Sequence, residues 1–125
     1  MLTLNHANLP VADVVPLRDF FVRHFGFARL SEGSDDAFAV MRGASGFILN
    51  IMRKAPSDAG AFPKNFHVGF MVDTPAEVHA THARLAADGV ETGDVEAITR
   101  RGVSSVTFYC TAPNGILVEV SCYEV

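Results

Sequence analysis

The chain repeats itself, and both copies are anchored on a histidine. Phe66-His67-Val68-Gly69-Phe70-Met71-Val72 is a short run rich in β-branched and aromatic residues, closed by Asp73-Thr74-Pro75. That is the pattern of a buried strand. Leu2-Thr3-Leu4-Asn5-His6-Ala7-Asn8-Leu9-Pro10-Val11 is a similar run, and superposing His6 on His67 brings Leu9 onto Phe70 and Val11 onto Val72. A helix-like stretch ending in glycine follows each run, at Gly26 and at Gly89. Two copies of a strand–helix unit within 125 residues restrict the chain to duplicated folds. They also set an imidazole at the same place in both copies.

The elements can be placed in order. Residues 2–9 read as the first strand, with Leu2, Leu4 and His6 on one face. A helix over Val14–Phe25 has Asp13 at its N-cap, Pro16 in the first turn, and Leu17, Phe20, Phe21 and Phe25 as its apolar stripe. His24, in the last turn, is expected at the surface, where its charge complements the helix dipole. Short strands are expected over Phe27–Leu30, Ala37–Met41 and Gly46–Met52, with Phe47, Leu49 and Ile51 on one face and Ile48, Asn50 and Met52 on the other. Thr74-Pro75-Ala76-Glu77 is a capping box with proline at the first helical position. The helix it opens runs to about Asp88, with Val78, Thr81, His82 and Leu85 inward and Ala76, Ala80, Ala83 and Ala87 on the flank. His79 and His82 on that helix have a metal-like spacing but no third donor nearby in sequence, and they read as ordinary helix histidines. Gly93–Ile98 is a weak strand and Thr99–Gly102 a turn. Val103–Cys110 and Ile116–Tyr123 then form a hairpin around Asn114-Gly115. The fold class is therefore α+β, a single domain over 1–125. It comprises two strand–helix–three-strand modules, about 1–57 and 65–125, with a linker over about 53–64.

In the last strand Ile116, Val118 and Val120 face one side and Leu117, Glu119 and Ser121 the other. A carboxylate within Ile-Leu-Val-Glu-Val must be paired, protonated or bound to a metal. His6, His67 and Glu119 are thus three polar side chains on faces that hydrophobicity alone would not give them. Composition closes off other classes. Net charge is −4, and the ten lysines and arginines are scattered, which argues against a nucleic-acid surface. No apolar run approaches the roughly 20 residues that span a bilayer, and the start lacks a signal-peptide pattern. If Cys110 lies opposite Ile116, Cys122 falls opposite Ser104, some 20 Å away along the strands. A disulfide cannot bridge that distance, and two free thiols fit a reducing, cytoplasmic setting.

Leu4-Asn5-His6, Phe20-Phe21 with Phe25-Gly26-Phe27, His67-Val68, and Phe108-Tyr109-Cys110-Thr111-Ala112-Pro113-Asn114-Gly115-Ile116-Leu117-Val118-Glu119 stand in this order along essentially the whole chain. In that combination the chain resembles the vicinal oxygen chelate superfamily, also called the glyoxalase/bleomycin-resistance/dioxygenase group. The resemblance implies paired modules forming a curved, mixed or antiparallel half-barrel sheet with helices outside. It implies a divalent metal (Fe, Mn, Ni or Zn) held by His6, His67 and Glu119, and a homodimer whose site is shared between chains. It further implies a small-molecule substrate, while charge and hydropathy leave neither nucleic acid nor membrane as partner.

Departures narrow the chemistry. Glyoxalase I-like members carry a glutamate base on the strand before the linker, where parity here puts Asn50 on the cavity side; an amide is no base near neutral pH. Asn50 is left as a substrate-binding candidate. Ring-cleaving dioxygenases carry a histidine ahead of the Phe-Tyr pair, where this chain has Arg100, Arg101 and Gly102. Tyr109 keeps that family's tyrosine and is a candidate both to bind substrate and to act in catalysis beside Glu119. Fosfomycin-modifying members use an arginine beyond the metal glutamate; here only six residues follow Glu119, none basic. The expectation is a metal-dependent enzyme of lyase or isomerase type that stabilises an oxyanion on a small oxygenated substrate. The alternatives are a metal-free, bleomycin-resistance-like binding protein and an extradiol-type dioxygenase.

Overall fold

The strand–helix–three-strand order occurs twice in the computed structural model, which describes residues 1–58 and 60–124. The first copy comprises β1 (His6–Val11), α1 (Val14–Phe25), β2 (Ala28–Arg29), β3 (Phe38–Arg42) and β4 (Ile48–Arg53). The second comprises β5 (His67–Met71), α2 (Pro75–Ala87), β6 (Glu96–Arg100), β7 (Val103–Thr111) and β8 (Leu117–Glu124). They fall into two units, Met1–Ala61 and Phe62–Val125. Each holds an open four-stranded mixed sheet, ordered β1-β4-β3-β2 in one and β5-β8-β7-β6 in the other. The histidine-bearing strand lies at one edge of each sheet and pairs in parallel with the last strand of its unit; the remaining pairings are antiparallel. This is the α+β architecture of two modules that the repeat demands.

In the first unit α1 lies against β3 and β4. Leu17 and Phe21 from the helix and Ala39, Met41, Leu49 and Ile51 from the sheet are buried. Each large side chain so buried contributes about 1.5–3 kcal/mol. Gly26 takes the left-handed conformation (φ 67°) that ends α1. His24 corrects the sequence expectation. It is buried, with its ring 5.0 Å from that of Phe20, because it completes the i, i+3, i+4, i+7 set begun by Leu17, Phe20 and Phe21. The first strand also begins later than expected. The β1–β4 ladder opens at His6 opposite Ile48, and the chain before Ile48 turns away through Gly46 (φ 90°). Residues 2–4 therefore have no strand to pair with, and Leu2 and Leu4 are exposed. The loop between β2 and β3 is pinned by Asp35, whose Oδ2 accepts from Arg18 of α1 (2.9 Å) and Arg29 of β2 (2.6 Å). Burial alone raises a carboxyl pKa, but hydrogen bonds from Arg29, Ser31 and Arg18 outweigh it and hold Asp35 below the usual carboxylate value.

In the second unit Thr74 caps α2, its hydroxyl accepting from the Glu77 N–H at 3.2 Å, with Pro75 at the first helical position. Val78 and Leu85 are buried, whereas Ala76, Ala80, Ala83 and Ala87 are exposed rather than filling a flank. His82 is a structural residue: Nε2 lies 2.9 Å from the Gly93 carbonyl and its ring packs edge-on against Phe108 at 5.0 Å. The weak strand lies at Glu96–Arg100 instead of Gly93–Ile98, and the turn after it is Arg101-Gly102, both at positive φ. The closing hairpin is longer than expected. Ala112 N–H donates to the Ile116 carbonyl (2.8 Å) around a three-residue 3-10 turn, Pro113–Gly115, so Cys110 faces Val118 and Cys122 faces Val106. The thiols are then four residues apart along the ladder, roughly 13 Å, still beyond disulfide reach, and both are buried and free.

Candidate functional site

The two faces of each sheet differ in chemistry. In the second unit the ladder sets His67 beside Leu117, Gly69 beside Glu119, and Met71 beside Ser121; across the other edge of β8, Tyr109 faces Glu119 and Thr107 faces Ser121. Paired residues project to the same side, so His67, Glu119, Ser121, Tyr109 and Thr107 share the face away from Val118 and Val120.

His67 Nε2 and Glu119 Oε2 stand 3.0 Å apart. His67 Nδ1 lies 2.9 Å from the Asn65 carbonyl. A carbonyl only accepts, so Nδ1 carries the ring proton and Nε2 presents its lone pair. A lone pair facing a carboxylate oxygen at 3.0 Å repels unless a positive charge sits in the contact: a second ring proton, or a cation held by both. Glu119 Oε1 accepts a short hydrogen bond from Ser121 Oγ. Ser121 lies 2.8 Å from Thr107 Oγ1, and Thr107 reaches Ser105 Oγ at 3.2 Å. Tyr109 packs edge-on against the His67 ring at 5.7 Å. Burial first, and then the Glu119 carboxylate, raises its hydroxyl above the ordinary phenol value, so it stays a donor. Gly69, Phe70, Met71, Glu119, Ser121 and Tyr123 line a cavity of about 120 Å³.

The first unit carries a reduced version of this arrangement. His6 pairs with Ile48 as His67 pairs with Leu117, which makes Asn50 the counterpart of Glu119. Val40, Met52 and Phe38 then occupy the places of Tyr109, Ser121 and Thr107. Asn50 is half-buried on the same face as the exposed His6. His6 Nδ1 lies 2.7 Å from Asn5 Oδ1, so it too presents Nε2. The structure thus brings Glu119, His67 and Tyr109 together in one unit and sets His6 and Asn50 on a shared face of the other. Among the described residues no group of three His, Cys, Asp or Glu side chains that could hold a metal ion is assembled. The donors present nevertheless fit a divalent first-row ion. One imidazole nitrogen and one carboxylate oxygen converge, and the remaining polar atom of each is tied down by Asn65 and by Ser121, as outer partners orient metal ligands. Sequence reasoning gave no role to Ser121 or Thr107. The available signal was a pair of hydroxyls at spacing two from Glu119 and Tyr109.

A family model for the Glyoxalase/Bleomycin resistance protein/Dioxygenase superfamily matches residues 3–120. A structure from Bacillus cereus, described as a possible glyoxalase, is 38% identical and covers 98% of this chain and 100% of its own, with a TM-score of 0.78. Lactoylglutathione lyase from Agrobacterium tumefaciens is 19% identical, covering 98% and 94%, with a TM-score of 0.74. A genomically encoded fosfomycin resistance protein from Listeria monocytogenes is 20% identical, covering 98% and 93%, with a TM-score of 0.72. At those lower identities the likeness is one of fold. No curated protein sequence matches. The chain belongs to the glyoxalase/bleomycin resistance/dioxygenase superfamily. No described helix is long and apolar enough to cross a membrane.

Proposed function

We propose that this is a metal-dependent enzyme that binds a small oxygenated substrate and stabilises an oxyanion on it, as a lyase or isomerase. The observation that carries the reading is the His67 Nε2–Glu119 Oε2 contact at 3.0 Å, two acceptors brought together with their outer atoms already satisfied. Such a pair is built to hold a cation. The residues that would hold it are His67, Glu119 and His6, with His6 supplied by a second copy in a homodimer. His6 stands on an edge strand of the other unit, exposed and in the same tautomer, which supports that role. The bound ion, Fe, Mn, Ni or Zn, supplies Lewis acidity for charge developing on substrate oxygen. The chain's own residues do the rest. Tyr109, held protonated, donates a hydrogen bond to substrate oxygen, Asn50 offers an amide to a substrate polar group, and Glu119 places its side-chain oxygens at the reacting end.

The test is turnover of hemithioacetal, thioester and catechol substrates by protein stripped of metal and reloaded with each ion. Turnover that appears only with metal and disappears in Glu119→Ala supports the proposal. Binding of a cationic aromatic drug without metal, and no turnover with any ion, establishes the drug-sequestering alternative; ring cleavage with iron alone establishes the dioxygenase. Mixing His6→Ala with His67→Ala chains tests the shared site, because only a site built across two chains regains an intact ligand set in the mixture.

A further inference from the structure

We propose that Ser121, backed by Thr107, is the positioning residue that fixes the metal-facing oxygen of Glu119; this rests on the metal reading above. Thr107 and Ser121 are 3% and 2% exposed, two of the few buried polar side chains among the described residues. A hydroxyl taken out of water persists where it is hydrogen-bonded. Each hydroxyl has a single proton. Ser121 spends its proton on Glu119 Oε1, so the 2.8 Å bond between Ser121 and Thr107 is donated by Thr107. The Thr107 hydroxyl thereby polarises the Ser121 hydroxyl, which alone donates to the carboxylate oxygen. The terminal torsion of a glutamate is otherwise broad and two-fold. With Oε1 engaged, Oε2 is the oxygen left to face His67 Nε2.

The internal repeat separates this role from a requirement of the fold. The first unit runs the same ladder with Met52 in place of Ser121 and Phe38 in place of Thr107, opposite one another in the same register. There the Glu119 counterpart is the uncharged Asn50, and no hydroxyl pair accompanies it. The hydroxyls occur where the carboxylate occurs.

Ser121→Ala tests the proposal with little damage to the fold, because Thr107 can turn its proton to Ser105 Oγ, 3.2 Å away. Zinc and nickel dissociation constants are measured by chelator competition, alongside melting temperature. The expected result is a roughly 10- to 100-fold weaker affinity in Ser121→Ala at a melting temperature close to wild type. Thr107→Val, which leaves the Ser121 donor in place, loses about tenfold, the low end of that range. Wild-type affinity in Ser121→Ala, with binding abolished in Glu119→Ala, overturns the positioning role and leaves the metal site standing. No metal binding by the wild-type protein overturns both. If Ser121→Ala does not fold, Thr107→Val decides, and wild-type affinity there overturns the proposal.

Discussion

Replacing Gly69 should move stability and binding in opposite directions. Gly69 lies in β5 opposite Glu119, and a Cβ built on it meets Glu119 Cβ at 3.5 Å, the Glu119 carbonyl oxygen at 3.6 Å and Oε2 at 3.9 Å. These are ordinary contacts, and φ at Gly69 is not positive, so alanine fits the folded backbone. Alanine narrows the unfolded ensemble, and Gly69→Ala is expected to stabilise by about 0.4–1 kcal/mol. For a chain of this size that raises the melting temperature by roughly 2–5 °C. Valine adds methyl carbons about 1.5 Å beyond Cβ. From a Cβ 3.9 Å from Oε2, such a methyl intrudes on the space a ligand of that oxygen needs. Gly69→Val should therefore fold but lose metal affinity, with Gly69→Ala between it and wild type. Thermal unfolding and chelator competition on the three proteins measure both axes. A lower melting temperature in Gly69→Ala, or wild-type affinity in Gly69→Val, refutes the reasoning.

Asp35→Asn removes the charge that two arginines share at 2.9 and 2.6 Å from one oxygen, and should cost about 2–3 kcal/mol at pH 7, somewhat less than the roughly 3–5 kcal/mol of a fully buried pair because the Arg29 side chain is 37% exposed. The folded pKa of Asp35 lies below its ordinary value of 3.8, so its contribution is full above that value and fades as pH falls through the folded pKa. Urea unfolding of both proteins should show a gap at pH 7 that narrows as pH falls below 3.8; a gap that stays constant or widens on acidification contradicts the ion-pair account. Burial pushes the Cys110 thiol up to about 11, and Cys122 is also buried. A thiol reagent at pH 8 should label neither cysteine in the native protein and both in urea; rapid native labelling contradicts the core placement.

How much of this was legible in the sequence depended on whether local pattern or tertiary pairing decided the feature. The repeat, the helix over Val14–Phe25 and the Thr74 cap follow from spacing and turn chemistry, and they appear as expected. Glu119 and His67 could be singled out because a charge and an imidazole interrupt apolar runs, and the structure sets them 3.0 Å apart. Where β1 begins depends on Gly46, forty residues away, where the chain turns before the partner strand starts at Ile48. His24 carries no sign in its own side chain that its helix position faces Phe20. The closing hairpin shows the same limit. Asn114-Gly115 marked the turn, but the ladder closes further, at Ala112 and Ile116, and that register decides which hydroxyl meets which strand. The Thr107–Ser121–Glu119 chain was therefore unreadable until the pairing was known, although parity had already put Ser121 beside Glu119.

The central claim is that His67 and Glu119 hold a divalent metal ion. Its most direct test is metal per chain, for Mn, Fe, Ni and Zn, in tag-free wild-type protein and in Glu119→Ala after both are reconstituted and desalted. The account predicts close to one metal per wild-type chain and close to none in a Glu119→Ala variant that remains folded by circular dichroism. Equal occupancy in the two proteins, or none in the wild type, contradicts it.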